Sequence, residues 1–129
     1  MVRTLPYQSL IDTLRSDGID IVDTTDFNDD VSVRLILKKS GDRLALSLSG
    51  VGPFAALVGQ DSAQHYFWVT GPEDAPTPLA ATVARMVQQA GFRLLDRSLV
   101  SQPIAMTWYD GSTEVTLYQA LFTDTDWIP

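Results

Sequence analysis

Two stretches of the chain place apolar residues on one side of a helix. Tyr7, Leu10, Ile11 and Leu14 fall three and four apart, the spacing of one face of a 3.6-residue turn, and predict a helix from about Pro6 to Asp17. Pro6 suits a first turn and Gly18 a left-handed stop. Leu79, Val83, Met86, Val87 and Ala90 repeat the pattern and predict a second helix from about Pro78 to Ala90. Thr77 can cap it, Pro78 opens it and Gly91 closes it.

Elsewhere the period is two. Val31, Val33, Leu35 and Leu37 alternate with Ser32, Arg34 and Lys38; after the KSGD turn, Leu44, Leu46 and Leu48 alternate with Ala45, Ser47 and Ser49. Ile104, Met106 and Trp108, an Asp110-Gly111 turn, then Val115 and Leu117 predict a second hairpin. An Asp-Gly pair between alternating strands is a strong hairpin signal, and such alternation means one buried and one wet sheet face.

The halves match in order. Gly18 leads into IDIVD and Gly91 into FRLLD, short strand candidates that end at Asp23 and Asp96. Val31 lies as far past Gly18 as Ile104 lies past Gly91. The expected fold is therefore α+β, a single domain over 1–129. It contains two tandem αβββ-like units, 6–49 and 78–122, that form a mostly antiparallel sheet with both helices packed on one face. The intervening stretch, 50–76, reads as an insertion with one further strand, QHYFWVT at 64–70, ending in the proline-rich GPEDAPTP.

At 129 residues the chain is long enough for a real core. No apolar run approaches the ~20 residues of a membrane span, MVRTLPYQSL lacks the apolar stretch of a secretory signal, and cysteine is absent. A cytoplasmic protein without disulfides or thiolate metal sites is expected. The net charge of −7 argues against nucleic-acid binding, which needs a basic surface. Residues 16–33 hold Asp17, Asp20, Asp23, Asp26, Asp29 and Asp30 with no base, and 98–129 hold Asp110, Glu114, Asp124 and Asp126, again with none. Arg34, Lys38, Lys39 and Arg43 form one basic group, and Arg85, Arg93 and Arg97 a second. A negative field keeps a small protein soluble and also speeds encounter with a basic partner.

Candidate chemistry is sparse. In DFNDD, at 26–30, Asp26, Asn28 and Asp30 alternate as in an EF-hand calcium loop, but Val31 stands where glycine is required and Leu37 where a bidentate glutamate is required. A solvated acidic loop is the reading that survives. SGVGPFA, at 49–55, has the letters G-x-G-x-x-A, yet FAALVG is stopped by Gly59. The long helix that would aim at a pyrophosphate is missing, which leaves a glycine turn before a short apolar segment. His65, the only histidine, has no paired ligand and no nucleophile motif beside it, and reads as a structural or edge residue. Tyr66, Phe67 and Trp68 are consecutive, so both faces of their strand carry a large ring. One face can be core; the other needs cover, or it forms a patch.

These readings assign no catalytic residue, no metal and no cofactor. They predict a non-enzymatic, acidic protein-binding domain. An inhibitor or immunity-type protein that neutralises a basic partner such as a toxin enzyme would fit. The partner-binding residues would be Asp26, Asp29, Asp30, Tyr66, Trp68, Tyr109, Asp124, Asp126 and Trp127, with no nucleic acid or membrane involved. Two alternatives stand beside this: a small-ligand or enzymatic domain with its site near His65, and a subunit that self-associates as a homodimer through a strand edge.

Overall fold

The computed structural model describes residues 5–25, 32–50, 52–61, 63–104, 115–116, 118 and 121–122. Helix α1 (Leu5–Ser16) and helix α2 (Pro78–Gln89) form where the apolar stripes predict them. The Thr77 hydroxyl accepts the Ala80 N–H at 3.1 Å, which caps α2. Both helices end before a glycine at positive φ, +81° at Gly18 and +94° at Gly91, the left-handed stop that glycine allows without strain.

The main sheet has six strands: β1 (Asp20–Asp23), β2 (Ser32–Lys39), β3 (Asp42–Ser49), β4 (Phe54–Gln60), β5 (Tyr66–Trp68) and β6 (Arg93–Leu94). The order is β1-β2-β3-β4-β5, all antiparallel, and β6 pairs with β4 in parallel. β2 and β3 meet through Ser40 and Gly41, both at positive φ (53° and 85°), which matches the right-handed twist of the strands. A separate two-stranded ladder joins β7 (Pro103–Ile104) to β8 (Val115–Thr116). The α+β class holds.

Cross-strand rows show how each face is built. Leu35, Leu46 and Leu57 lie opposite one another, as do Val33, Leu48, Ala55 and Leu94. These residues, with Tyr7, Leu10, Ile11 and Leu14 of α1 and Leu79, Val83 and Val87 of α2, make the main core. Both helices therefore cover one face. The Tyr7 hydroxyl donates to the Ser49 carbonyl, burial pushes its pKa up, and its ring lies 5.6 Å from that of Phe92.

Three segments differ from the sequence reading. The stretch 50–76 supplies two strands, and FAALVG is the interior strand β4. It is apolar on both faces, so it lacks the alternation of a half-wet strand. Gly59 does not end it: a Cβ there would collide with the Phe67 ring directly opposite, and a strand glycine commonly marks such a close approach. QHYFWVT contributes only Tyr66–Trp68, because Gln64 turns at φ 64°. FRLLD ends its pairing early. β6 runs beside the first half of β4, the Leu95 N–H donates to the Ala55 carbonyl at 3.0 Å, and Asp96 caps the short helix α3 (Arg97–Val100).

The two halves thus share a helix, a left-handed glycine and a short strand, and then part. β1 joins β2, its own hairpin, whereas β6 joins β4. Leu95, Val100, Tyr118, Leu121 and Phe122 pack with Ala56 in a second core on the other face. The β7–β8 ladder accordingly stands outside the main sheet.

Candidate functional site

The face away from the helices is half covered. Ser32, fully buried, donates its hydroxyl to the Phe122 carbonyl at 2.6 Å, which pins the C-terminal segment beside β2. Tyr118 meets Trp68 edge-on at 6.2 Å and Phe122 at 5.4 Å. The remainder of the face contributes to a groove of about 920 Å³, whose lining also includes Leu44, Phe67 and Thr77. Its floor carries Ile36, Ala45 and Val58, aligned across three strands, in a row that continues outside the groove to Val22 and Trp68. Arg34, Ser47 and Ala56 lie on one side of that row, and Lys38 and Arg43, opposite each other, lie on the other. Tyr66 and Tyr118 close the end.

The aromatic triplet divides as its spacing predicts. Phe67 packs against the main core and Trp68 against the second, while Tyr66 stays 49% exposed. What covers part of the far face is Tyr118, Leu121 and Phe122. Tyr66 and Trp68 sit on β5, at the opposite edge from β1. Four inter-strand spacings, about 19 Å, separate the two edges. Asp26, Asp29, Asp30, Tyr109, Asp124, Asp126 and Trp127, with the whole of DFNDD and the Asp110-Gly111 turn, lie outside the described residues.

The acidic stretch looks different once folded. Its Asp17 carboxylate meets Lys39 Nζ at 3.3 Å, and the same ammonium donates to the Asp17 carbonyl at 2.6 Å. Asp20 lies opposite Lys38. The bases missing from 16–33 are thus returned by the neighbouring strand. Asp23 accepts the Thr25 N–H at 3.0 Å, and Val22, between the acids, is 52% exposed.

His65 stands on the β4–β5 connection with its side chain 82% exposed, and its Nδ1 is 3.9 Å from Asp61 Oδ2. The other oxygen of Asp61 accepts the Ala63 and His65 N–H groups, both at 2.9 Å, so this carboxylate shapes the turn. Among the described residues no group of three or more His, Cys, Asp or Glu is placed to hold a metal ion, and no helix is long and apolar enough to cross a membrane. Asp74 shapes another turn. Burial opposes its ionisation, but the hydroxyl and N–H of Thr70 and the N–H of Gly71 donate to it and hold its carboxyl below the usual range.

The groove was not among the predicted sites. Its signal lies in the off-phase positions of the first hairpin: Arg34 and Ile36 on β2, and Arg43, Ala45 and Ser47 on β3, a mixture of small, apolar and cationic residues where a wet face would be uniformly polar. No family model, curated protein or solved structure matches the chain.

Proposed function

We propose that the chain is a non-enzymatic binding protein that receives a basic protein partner along the outer edge of β1. The observation that carries this reading is the edge itself. β1 is the first strand of the sheet, and among the described residues no strand pairs with its outer side. The Thr24 N–H donates to the Arg34 carbonyl at 2.8 Å. By antiparallel alternation, Asp20 and Val22 then bond toward β2, and Ile21 and Asp23 present their main-chain groups outward. A strand added there would take hydrogen bonds from those groups, rest against the exposed Val22 and bring basic side chains to Asp20 and Asp23. The same acids disfavour pairing with a second copy, since like charges would face each other. The net charge of −7 adds long-range attraction for a basic partner.

In its most specific form the reading is an inhibitor or immunity-type protein that covers a basic enzyme. Asp26, Asp29 and Asp30, which follow β1 in the chain, and Tyr109, Asp124, Asp126 and Trp127 are the further partner-binding residues of this proposal. A test uses two short peptides, one alternating Lys and Val, the other Glu and Val, titrated into ¹⁵N-labelled protein. The Lys–Val peptide should perturb the amides of 20–24 and release them as salt rises. Asp20→Asn with Asp23→Asn should weaken it. An equal response to the Glu–Val peptide, or an unperturbed β1, ends the reading.

A further inference from the structure

We infer that the groove on the far face is a binding site for a small organic anion with an apolar body, such as a medium-chain carboxylate. This goes beyond the β1 edge and does not depend on it. The groove's volume, about 920 Å³, falls in the range of small-molecule sites, roughly 300–1,000 Å³. Its floor is recessed because Ala45, Ser47 and Ala56 are small and stand between Ile36 on one side and Tyr66 and Tyr118 on the other. An apolar chain lying over Ile36, Ala45 and Val58 would cross three strands without meeting a charge.

The charges stand at the margins, where Arg34 and Arg43 line the groove together with Asp42 and Asp61. Arg34 is two positions from Ile36 along β2, and Arg43 two positions from Ala45 along β3, so a guanidinium flanks the stripe on each side. Arg43 lies directly opposite Lys38, and neither makes an ion pair among the described residues. Like charges paired across strands are unfavourable, and a bound anion relieves them. Asp20, beyond Lys38 on β1, is the acid of that row. The two acids on the groove wall differ in setting. Asp61 accepts two backbone N–H groups of its own turn, and Asp42 lies opposite Lys39, in the phase of the helix-covered face. Arg43, whose guanidinium can hold a carboxylate by two parallel hydrogen bonds, stands beside this apolar floor and is the group that would recognise an amphipathic anion.

The test is calorimetric titration with hexanoate, octanoate and decanoate, alongside decanol and decylammonium. Each pair of added methylenes should tighten binding roughly tenfold or more, since one buried methylene corresponds to about three- to fourfold. Decanoate should bind about tenfold or more above decanol, the effect of a charge-assisted hydrogen bond, and decylammonium should not bind. Arg43→Gln should erase the preference for decanoate over decanol. Ala45→Phe, at a half-exposed position, should block both while circular dichroism and the melting midpoint report an intact fold. Binding that ignores chain length or head-group charge overturns the inference, as do amide shifts that miss β2–β5. Tighter, salt-sensitive binding of the Glu–Val peptide in the groove would make the occupant an acidic peptide instead. Concentration-dependent dimerisation that protects Ile36 and Tyr66 would make it a second copy, and either result overturns the small-anion assignment.

Discussion

At Gly59 a missing side chain lets a ring in. The row Ile21, Leu37, Leu44, Gly59, Phe67 spans five strands of the helix-covered face, and the Phe67 ring occupies the space a Cβ would take. Gly59→Ala should therefore destabilise by about 1–3 kcal/mol, the usual cost of overpacking. In a Phe67→Ala background most of that cost should vanish, a coupling that a double-mutant cycle in urea reads directly. Asp74 gives a second, titratable case. Its folded pKa lies below the unfolded value, so it contributes stability above about pH 4 that is lost as pH falls through the folded pKa. Asp74→Asn should flatten that acid limb of the stability profile, and Asp74→Ala should cost about 1 kcal/mol at neutral pH, as loss of a capping acceptor does.

Among the elements, the Ser32–Phe122 hydrogen bond joins residues 90 apart in sequence. Ser32→Ala leaves a carbonyl without its donor and should cost about 1–3 kcal/mol. Hydrogen exchange should show the loss first at the Phe122 N–H, which donates to the Tyr118 carbonyl at 2.9 Å. Unchanged protection there would mean that the C-terminal segment is held by its rings alone. The elements that were legible in the sequence are those with a polar side: α1, α2 and the β2–β3 hairpin each declare a period because polar residues such as Ser32, Arg34, Lys38, Arg43 and Ser47 alternate with the apolar ones. β4 declares none, being apolar throughout, and its glycine imitates a stop. β6 and α3 were obscured because Asp96 suits the end of a strand and the cap of a helix equally well. At the candidate site, the three consecutive aromatics declare a strand with a ring on each face, and Tyr66 and Trp68 share the outer one. The groove escaped notice because its rows join residues from five strands, and the register that aligns Ile36 with Ala45 and Val58 is a property of pairing. Folding redistributes the charges in the same way, since Lys39 of β2 reaches Asp17 just past α1.

The described residues build a main sheet with a core on each side, and β4 belongs to both: Ala55 and Leu57 face the helices while Ala56 packs with Tyr118, Leu121 and Phe122. Neither core can open without freeing a strand of the other, so unfolding should be a single cooperative step. Leu46→Ala, on the helix side, should cost about 2–5 kcal/mol, and Phe122→Ala, on the far side, about 3–5 kcal/mol. Trp68 fluorescence, isolated by replacing Trp108 and Trp127 with Phe, should lose its native signal at the same denaturant concentration as helical circular dichroism in both variants. An earlier fluorescence transition in Phe122→Ala would separate the cores.

The divided edge of β4 also bears on how the chain is made. Its later half is closed by β5, only a few residues downstream, but its first half waits for Arg93 and Leu94. During synthesis the ribosome therefore releases an apolar strand with half an edge uncovered, and the gap persists until α2 has followed. The far side of the same strand waits longer still, for Tyr118 to Phe122. Exposed strand edges are the part of a nascent chain most open to wrong pairing. Slowing elongation after β4 should then lower the soluble yield, and slowing it after Phe122, if the chain is extended by an inert tail, should leave the yield unchanged.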